Sequence, residues 1–258
     1  MIEEAEQIKV NFDQNGDKIV EGEKYKGVSR ILEEAKSDNG QFLVSHYDEN
    51  NYIKNATPLV IAELQSDPSN DGKSEEEIKI MASDFLNRKV LEMRQLGKFG
   101  TYLHSVSDFY FKNGMTDIND VMNGLKEKHP DVTFKEDVVS KMLDKVKEIG
   151  NKIYKIHGDD AKIYTEIPVY DTDTHIMGII DLLVLDNKGK THIYDYKTSH
   201  KKAYSWAKVK MNHMTYQMAF YNQLLLKKGL ITNSINLIPI DLSDLDYETH
   251  VINDIDTS

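Results

Sequence analysis

The chain has 258 residues, 40% hydrophobic and 29% charged, ordinary values for a globular protein, and no apolar run reaches the roughly 18 residues of a membrane span. Cysteine is absent, which excludes disulfides, thiolate zinc sites, cysteine nucleophiles and iron–sulfur clusters together and leaves any metal to oxygen and imidazole. Lys and Arg number 32 against 43 Asp and Glu, a formal charge of −11, and as an average this argues against nucleic acid, whose binders gather cations. One core with an appended helical part fits this length better than two domains. No basic segment followed by an apolar one stands at the N-terminus, so secretion is unsupported and a cytoplasmic location is expected.

Residues 6–21 alternate weakly around Asn15-Gly16, a favoured pair for a tight turn, and predict a small hairpin. Within it Asp13, Asn15 and Asp17 imitate the opening of a calcium loop. The imitation fails because Lys18 stands at the sixth position and Lys24 at the twelfth, where the loop needs Gly and Glu. Residues 26–36 and 57–65 read as short helices, and residues 66–72 as a loop by their turn residues. Ser74 with Glu77 forms a capping box that opens a helix toward Leu96, and Gly97 and Gly100 bracket the start of a second one through about Asn113. Helical spacing returns at 117–128 and 135–157.

The pattern then changes. Residues 162–170, 175–185 and 190–198 are rich in β-branched and aromatic residues with turn clusters between them, and predict three consecutive strands. A long helix over 203–228 and a strand over 233–241 follow. The order predicts an α/β or α+β core with a helical N-terminal subregion.

The second of those strands carries Asp181 between apolar neighbours on both parities. A carboxylate there is costly unless paired or bound to a cation, so Asp181 is either a structural acid held by donors or a metal ligand. On the third strand Asp195 and Lys197 are two apart and share a face. A hairpin centred on Lys188 sets Asp181 opposite Asp195, and like charges at that spacing repel unless a divalent cation joins them. Glu166 on the first strand falls opposite Asp181, give or take one residue, and is otherwise a solvated strand residue. Oxygen ligands without thiolate suit Mg²⁺ or Mn²⁺. Lys197 beside them is either a partner of Asp195 or a positioned cation able to orient an attacking water.

Gly178-x-x-Asp181, Asp195-x-Lys197 and Gln217-x-x-x-Tyr221, preceded by the Gly100-Thr101-Tyr102-Leu103-His104 segment and by residues 25–32, together resemble the PD-(D/E)XK nuclease superfamily, RecB-like and phage exonuclease members above all. The resemblance implies a restriction-endonuclease-like core, a central mixed β-sheet flanked by helices. It implies metal ligation by His104, Asp181, Asp195 and the carbonyl of Tyr196, with Lys197 as the catalytic lysine and Gln217 and Tyr221 contacting the substrate strand. Asp195 stands where many superfamily members have Glu, and RecB-like members commonly have Asp there. The expected division is a hairpin and helical subregion over 1–98, the nuclease core over 99–241 and an acidic strand or tail over 242–258.

The residues themselves are compatible. His104 and Asp108 are four apart on one helix face, where Asp108 would ligate or orient the imidazole, although a lone helical His is usually structural. Lys210 lies seven before Gln217 on its helix face. Between Asn187 and Lys228 there are nine lysines against one acid, a phosphate track in an acidic protein. Lys201 and Lys202 belong to it, and Trp206 within it either stacks on unpaired bases or packs in the core. The expectation is a metal-dependent deoxyribonuclease and exonuclease acting on DNA ends or single strands, in phage or bacterial replication, recombination or repair, with replication or recombination proteins as partners and a bacterial host's cytoplasm as its place. The alternatives are a structure-directed endonuclease or a non-catalytic nuclease-like DNA-binding or virion protein.

Overall fold

The computed structural model describes residues 2–5, 7–14, 17–35, 49–199 and 208–241; the side chains of residues 3, 4, 95, 96, 199, 208–210 and 241 are not described. In chain order the elements are α1 (Ile2–Ala5), β1 (Asn11–Phe12), β2 (Lys18–Val20), β3 (Glu23–Gly27), α2 (Val28–Glu34), α3 (Glu49–Ser66), α4 (Glu75–Asn113), α5 (Ile118–Lys128), α6 (Glu136–His157), β4 (Lys162–Asp171), β5 (Ile176–Leu185), β6 (Thr191–Ser199), α7 (Lys208–Lys227) and β7 (Thr232–Asp241). They form a mixed seven-stranded sheet with flanking helices, a restriction-endonuclease-like α/β fold. Among the described residues no helix is long and apolar enough to cross a membrane.

The chain divides into two compact units, residues 45–99 and residues 1–44 with 100–258. In the smaller unit the capping box forms as its sequence requires: the Ser74 amide donates to Glu77 Oε2 (2.7 Å), and the Glu77 amide donates to Ser74 Oγ (3.3 Å). Arg94 pairs with Glu49 at 2.7 Å. The expected break near Gly97 and Gly100 does not occur, and α4 is continuous from Glu75 to Asn113. Two glycines in a helix interior cost about 1 kcal/mol each, too little to break a helix whose flanks are strongly patterned.

In the larger unit β1 and β2 make the expected hairpin, with Phe12 opposite Lys18. Lys24 reaches both Asp13 and Asp17 at 2.7 Å, so an ammonium sits where a calcium loop would hold its ion. The helix expected over 26–36 is shorter, because Glu23–Gly27 is a strand paired with β2 and, in parallel, with β5. One face of the sheet carries α2 and α7. Val28, Leu32, Ile167, Val169, Ile180, Leu183, Ile193, Met218, Leu224 and Leu225 are buried together there, and at about 25 cal/mol per Å² this apolar area is the chief stabilising term. Residues 203–207, expected to open the long helix, and the acidic residues 242–258 lie outside the described residues.

Two features of β5 position everything that follows. Along one edge it pairs with β4 from Asp171↔Ile176 to Lys162↔Leu185, with only the Glu166–Asp181 pair missing. Its other edge is shared: Ile176 and Met177 pair with β3, and Leu182 to Leu185 pair with β6. Residues 178–181 have no ladder partner on that side. The β5–β6 pairs sum to 376, as a turn centred on Lys188 requires, but the ladder stops at Leu182↔Tyr194, one pair short of Asp181 and Asp195. The two strands separate where the acids stand.

Candidate active site

Gly178 opens the unpaired stretch of β5. A Cβ there would collide with Tyr221 Cε1, so only glycine lets the ring of α7 lie across the strand. Gly100 plays a comparable part on α4, where an added Cβ would stand 3.3 Å from Thr198 Oγ1. This close approach sets the helix against the end of β6 and delivers His104 one turn later.

His104 Nδ1 lies 2.8 Å from Glu166 Oε1 and 3.7 Å from Asp181 Oδ1. One donor atom from each of His104, Glu166 and Asp181 falls within 4.8 Å of the others. The flanking pairs Thr165↔Leu182 and Ile167↔Ile180 put Glu166 across from Asp181, and its backbone takes φ of 49°, a conformation uncommon for any residue but glycine. The β4–β5 ladder skips this one pair. Asp181 Oδ2 accepts the Tyr196 amide at 2.7 Å, so the main chain of β6 fills the role that the interrupted ladder leaves open.

Asp195 is 2% exposed. Its Oδ2 pairs with the Lys197 ammonium and otherwise has no hydrogen-bond partner. Burial pushes Asp181 above the usual carboxylate range; His104 opposes this and Asp195 adds to it. For His104, burial pulls the imidazole down, but the Asp181 charge and the Glu166 hydrogen bond prevail and hold it at about 9. Three carboxylates therefore face one lysine and one histidine that must be protonated to help. The donor set, oxygen with one imidazole, and the incompletely paired Asp195 oxygen both fit a hard divalent cation.

Several expected contacts differ. The cluster around His104 contains Glu166 rather than Asp195, which is turned to Lys197. Asp108 does not reach the imidazole: its Oδ1 accepts from Thr165 Oγ1, the neighbour of Glu166, because the helix aims the acid at β4. Gln217 and Tyr221 are buried, and Gln217 Nε2 donates to Tyr221 Oη (3.0 Å) and Ser29 Oγ (3.1 Å). They brace α7 against α2 and β5. For Tyr196 the hydrogen bonds involve its amide and its hydroxyl, the latter 3.0 Å from Ser107 Oγ. Lys210 lies in α7 without a described side chain; Lys201, Lys202 and Trp206 lie outside the described residues.

Sequence reasoning missed His213. Burial lowers its pKa, Glu33 raises it, and Lys197 and Asp195 also act on it, so it stands in electrostatic reach of the acid–lysine pair. Its signal was available, since His213, Gln217 and Tyr221 are spaced four apart on one face of α7.

A sequence-family model described as the PD-(D/E)XK nuclease superfamily matches residues 82–241. The chain belongs to the PD-(D/E)XK nuclease superfamily. Neither the curated proteins nor the solved structures contain a match. As a superfamily member the protein is a nuclease, and its superfamily uses divalent metals.

Proposed function

We propose that this nuclease is a Mg²⁺- or Mn²⁺-dependent deoxyribonuclease working as an exonuclease on DNA ends. The observation that carries the reading is the convergence of His104, Glu166, Asp181 and the Asp195–Lys197 pair at the place where β5 and β6 separate. The exonuclease assignment rests on the likeness of the Gly100-to-His104 helix and the Asp195-x-Lys197 strand to the RecB-like and phage exonuclease members.

His104, Glu166, Asp181 and Asp195 would hold the cation, which when bound supplies Lewis acidity to the scissile phosphate and to the attacking water. Asp195 holds Lys197 beside the other acids of the site. From there the ammonium orients the nucleophile and stabilises the charge that gathers on phosphorus-bound oxygens. Asp181 is itself held by the Tyr196 amide, so the two halves of the site keep their spacing without the substrate. Glu166 accepts from His104 and fixes its ring.

The test is cleavage of linear and closed circular DNA with Mg²⁺, Mn²⁺ or EDTA. Asp195→Asn and Lys197→Ala should each lower the rate by roughly 10²–10⁴, the usual worth of a positioned proton-transfer or electrostatic group. Cleavage at the unmodified rate by both variants would sink the assignment. Cutting of closed circles would make it an endonuclease.

A further inference from the structure

A second group of metal-competent side chains lies elsewhere on the same hairpin. His157 is the last residue of α6, Asp186 follows β5 directly and His192 is the second residue of β6. One donor atom from each falls within 4.8 Å of the others. Five residues of extended chain separate Asp186 from Asp181, about 16 Å, so this group is distinct from the one around His104.

We infer that His157, Asp186 and His192 form a binding site for a transition-metal ion of the zinc class, pinning the end of α6 to the β5–β6 turn. His192 Nε2 is 3.2 Å from Asp186 Oδ2. In a tetrahedral zinc site with bonds of roughly 2.0–2.1 Å, neighbouring ligand atoms are about 3.3–3.4 Å apart, so this pair already has the length of a tetrahedron edge. Both ligands are oriented from behind. His192 Nδ1 is 2.8 Å from Ser234 Oγ on β7, which leaves Nε2 facing the carboxylate. Asp186 Oδ1 accepts the amides of Lys188 (2.9 Å) and Lys190 (2.7 Å), which presents Oδ2 to the imidazole. Outer hydrogen bonds of this kind hold metal ligands in one tautomer and one direction.

The rings of His157 and His192 are buried, with centroids 3.9 Å apart. Two imidazolium ions that close would repel, whereas a cation shared between two neutral rings and a carboxylate would not. Tyr194 borders the group, its hydroxyl 2.6 Å from His157 Nε2. Two imidazoles and one carboxylate favour Zn²⁺ over Mg²⁺, which prefers an all-oxygen shell. Three protein ligands leave a fourth position for water.

The test uses the full chain stripped with EDTA and titrated with Zn²⁺ or Co²⁺ in excess Mg²⁺. One Zn²⁺ per chain should bind without displacement by Mg²⁺, Co²⁺ should give the intense visible bands of a tetrahedral complex, and the unfolding temperature should rise with Zn²⁺. Asp186→Asn, nearly isosteric, and His192→Gln should each weaken that binding at least tenfold, while Asp181→Asn should leave it intact. Should His192→Gln fail to fold, Asp186→Asn and Ser234→Ala carry the comparison, with metal-free unfolding temperatures as the folding control. Absence of Mg²⁺-resistant binding, an octahedral Co²⁺ spectrum, or binding lost in Asp181→Asn and kept in Asp186→Asn would overturn the inference. DNA cleavage by Asp186→Asn in Mg²⁺ reports separately on the His104 site.

Discussion

Metal binding at the His104 group should release protons, and the structure sets how many. With its pKa at about 9, His104 is roughly 99% protonated at pH 7, and freeing the ring for a cation costs about two pH units, or about 2.7 kcal/mol. Metal ligands must be deprotonated. The apparent affinity for Mg²⁺ should therefore rise about tenfold per pH unit between pH 7 and 8.5 and level off above 9. Below pH 7 the slope should steepen, since Asp181 is also held above the usual carboxylate range by burial. Calorimetric titration in two buffers of different ionisation enthalpy measures the protons directly. About one proton per cation is expected at pH 7.5 and about half of one near pH 9, and His104→Gln should abolish most of that release. An affinity independent of pH, or the same proton count in His104→Gln, would refute the reasoning that the imidazole is charged before the metal arrives.

The same shifts bear on stability in the absence of metal. A folded-state pKa raised from 6.5 to about 9 at His104 contributes stability that is complete below pH 6.5 and lost as pH climbs through 9, so the EDTA-treated protein should unfold at lower temperature at pH 9 than at pH 6.5, and added Mg²⁺ should reverse the trend. Asp171 behaves oppositely: hydrogen bonds from Lys227 and Thr174 hold it at about 2, and its contribution is present above 3.8 and disappears as pH falls through 2, a loss Lys227→Met should remove from acid-unfolding curves. Gly178→Ala should destabilise by about 1–3 kcal/mol through the collision with Tyr221, a drop of about 2–12 °C in unfolding temperature. Tyr221→Leu in the same chain should recover at least part of it, and strict additivity of the two changes would show that they do not meet. Glu166→Gly should be about 1 kcal/mol more stable than Glu166→Ala, because only the alanine must bear a Cβ at φ of 49°, while both lose cleavage. Equal stabilities would remove the case for strain at that residue.

The strands were legible because their chemistry is local. β4, β5 and β6 follow from β-branched and aromatic runs, and the 376 register follows from the turn at Lys188 alone. From that register alone Asp181, Asp195 and Glu166 fall in a row. The end of the β5–β6 ladder was not legible, since it depends on β3 taking the other half of the same edge, a contact between residues 26–27 and 176–177 that no local pattern announces. Glu166 illustrates the difference. Spacing put it opposite Asp181, but its left-handed backbone and its bond to His104 arise only when α4 is laid across β4. Gln217 and Tyr221 were found as a pair by helical spacing, yet their partners, Ser29 and the bare backbone at Gly178, lie far off in sequence. Asp108 went to Thr165 for the same reason.

The shared edge of β5 also explains how a fold can tolerate this many acids beside one another. In a continuous antiparallel ladder Asp181 and Asp195 would stand directly opposed, with Cβ atoms roughly 4.5–5.5 Å apart and backbone groups already paired. Here the separation of the strands lets the Tyr196 amide solvate Asp181 and the Lys197 ammonium solvate Asp195, so each acid has one donor from the protein. What remains is a charge deficit of two, three carboxylates against one lysine, met in part in the metal-free protein by the proton that the Asp181 charge and the Glu166 hydrogen bond hold on His104. A divalent cation would meet the whole deficit and displace that proton. The protonation that stabilises the metal-free site and the cation that would make it work are thus alternative answers to the same electrostatic problem, which is why pH and metal concentration should trade against each other in every assay of this protein.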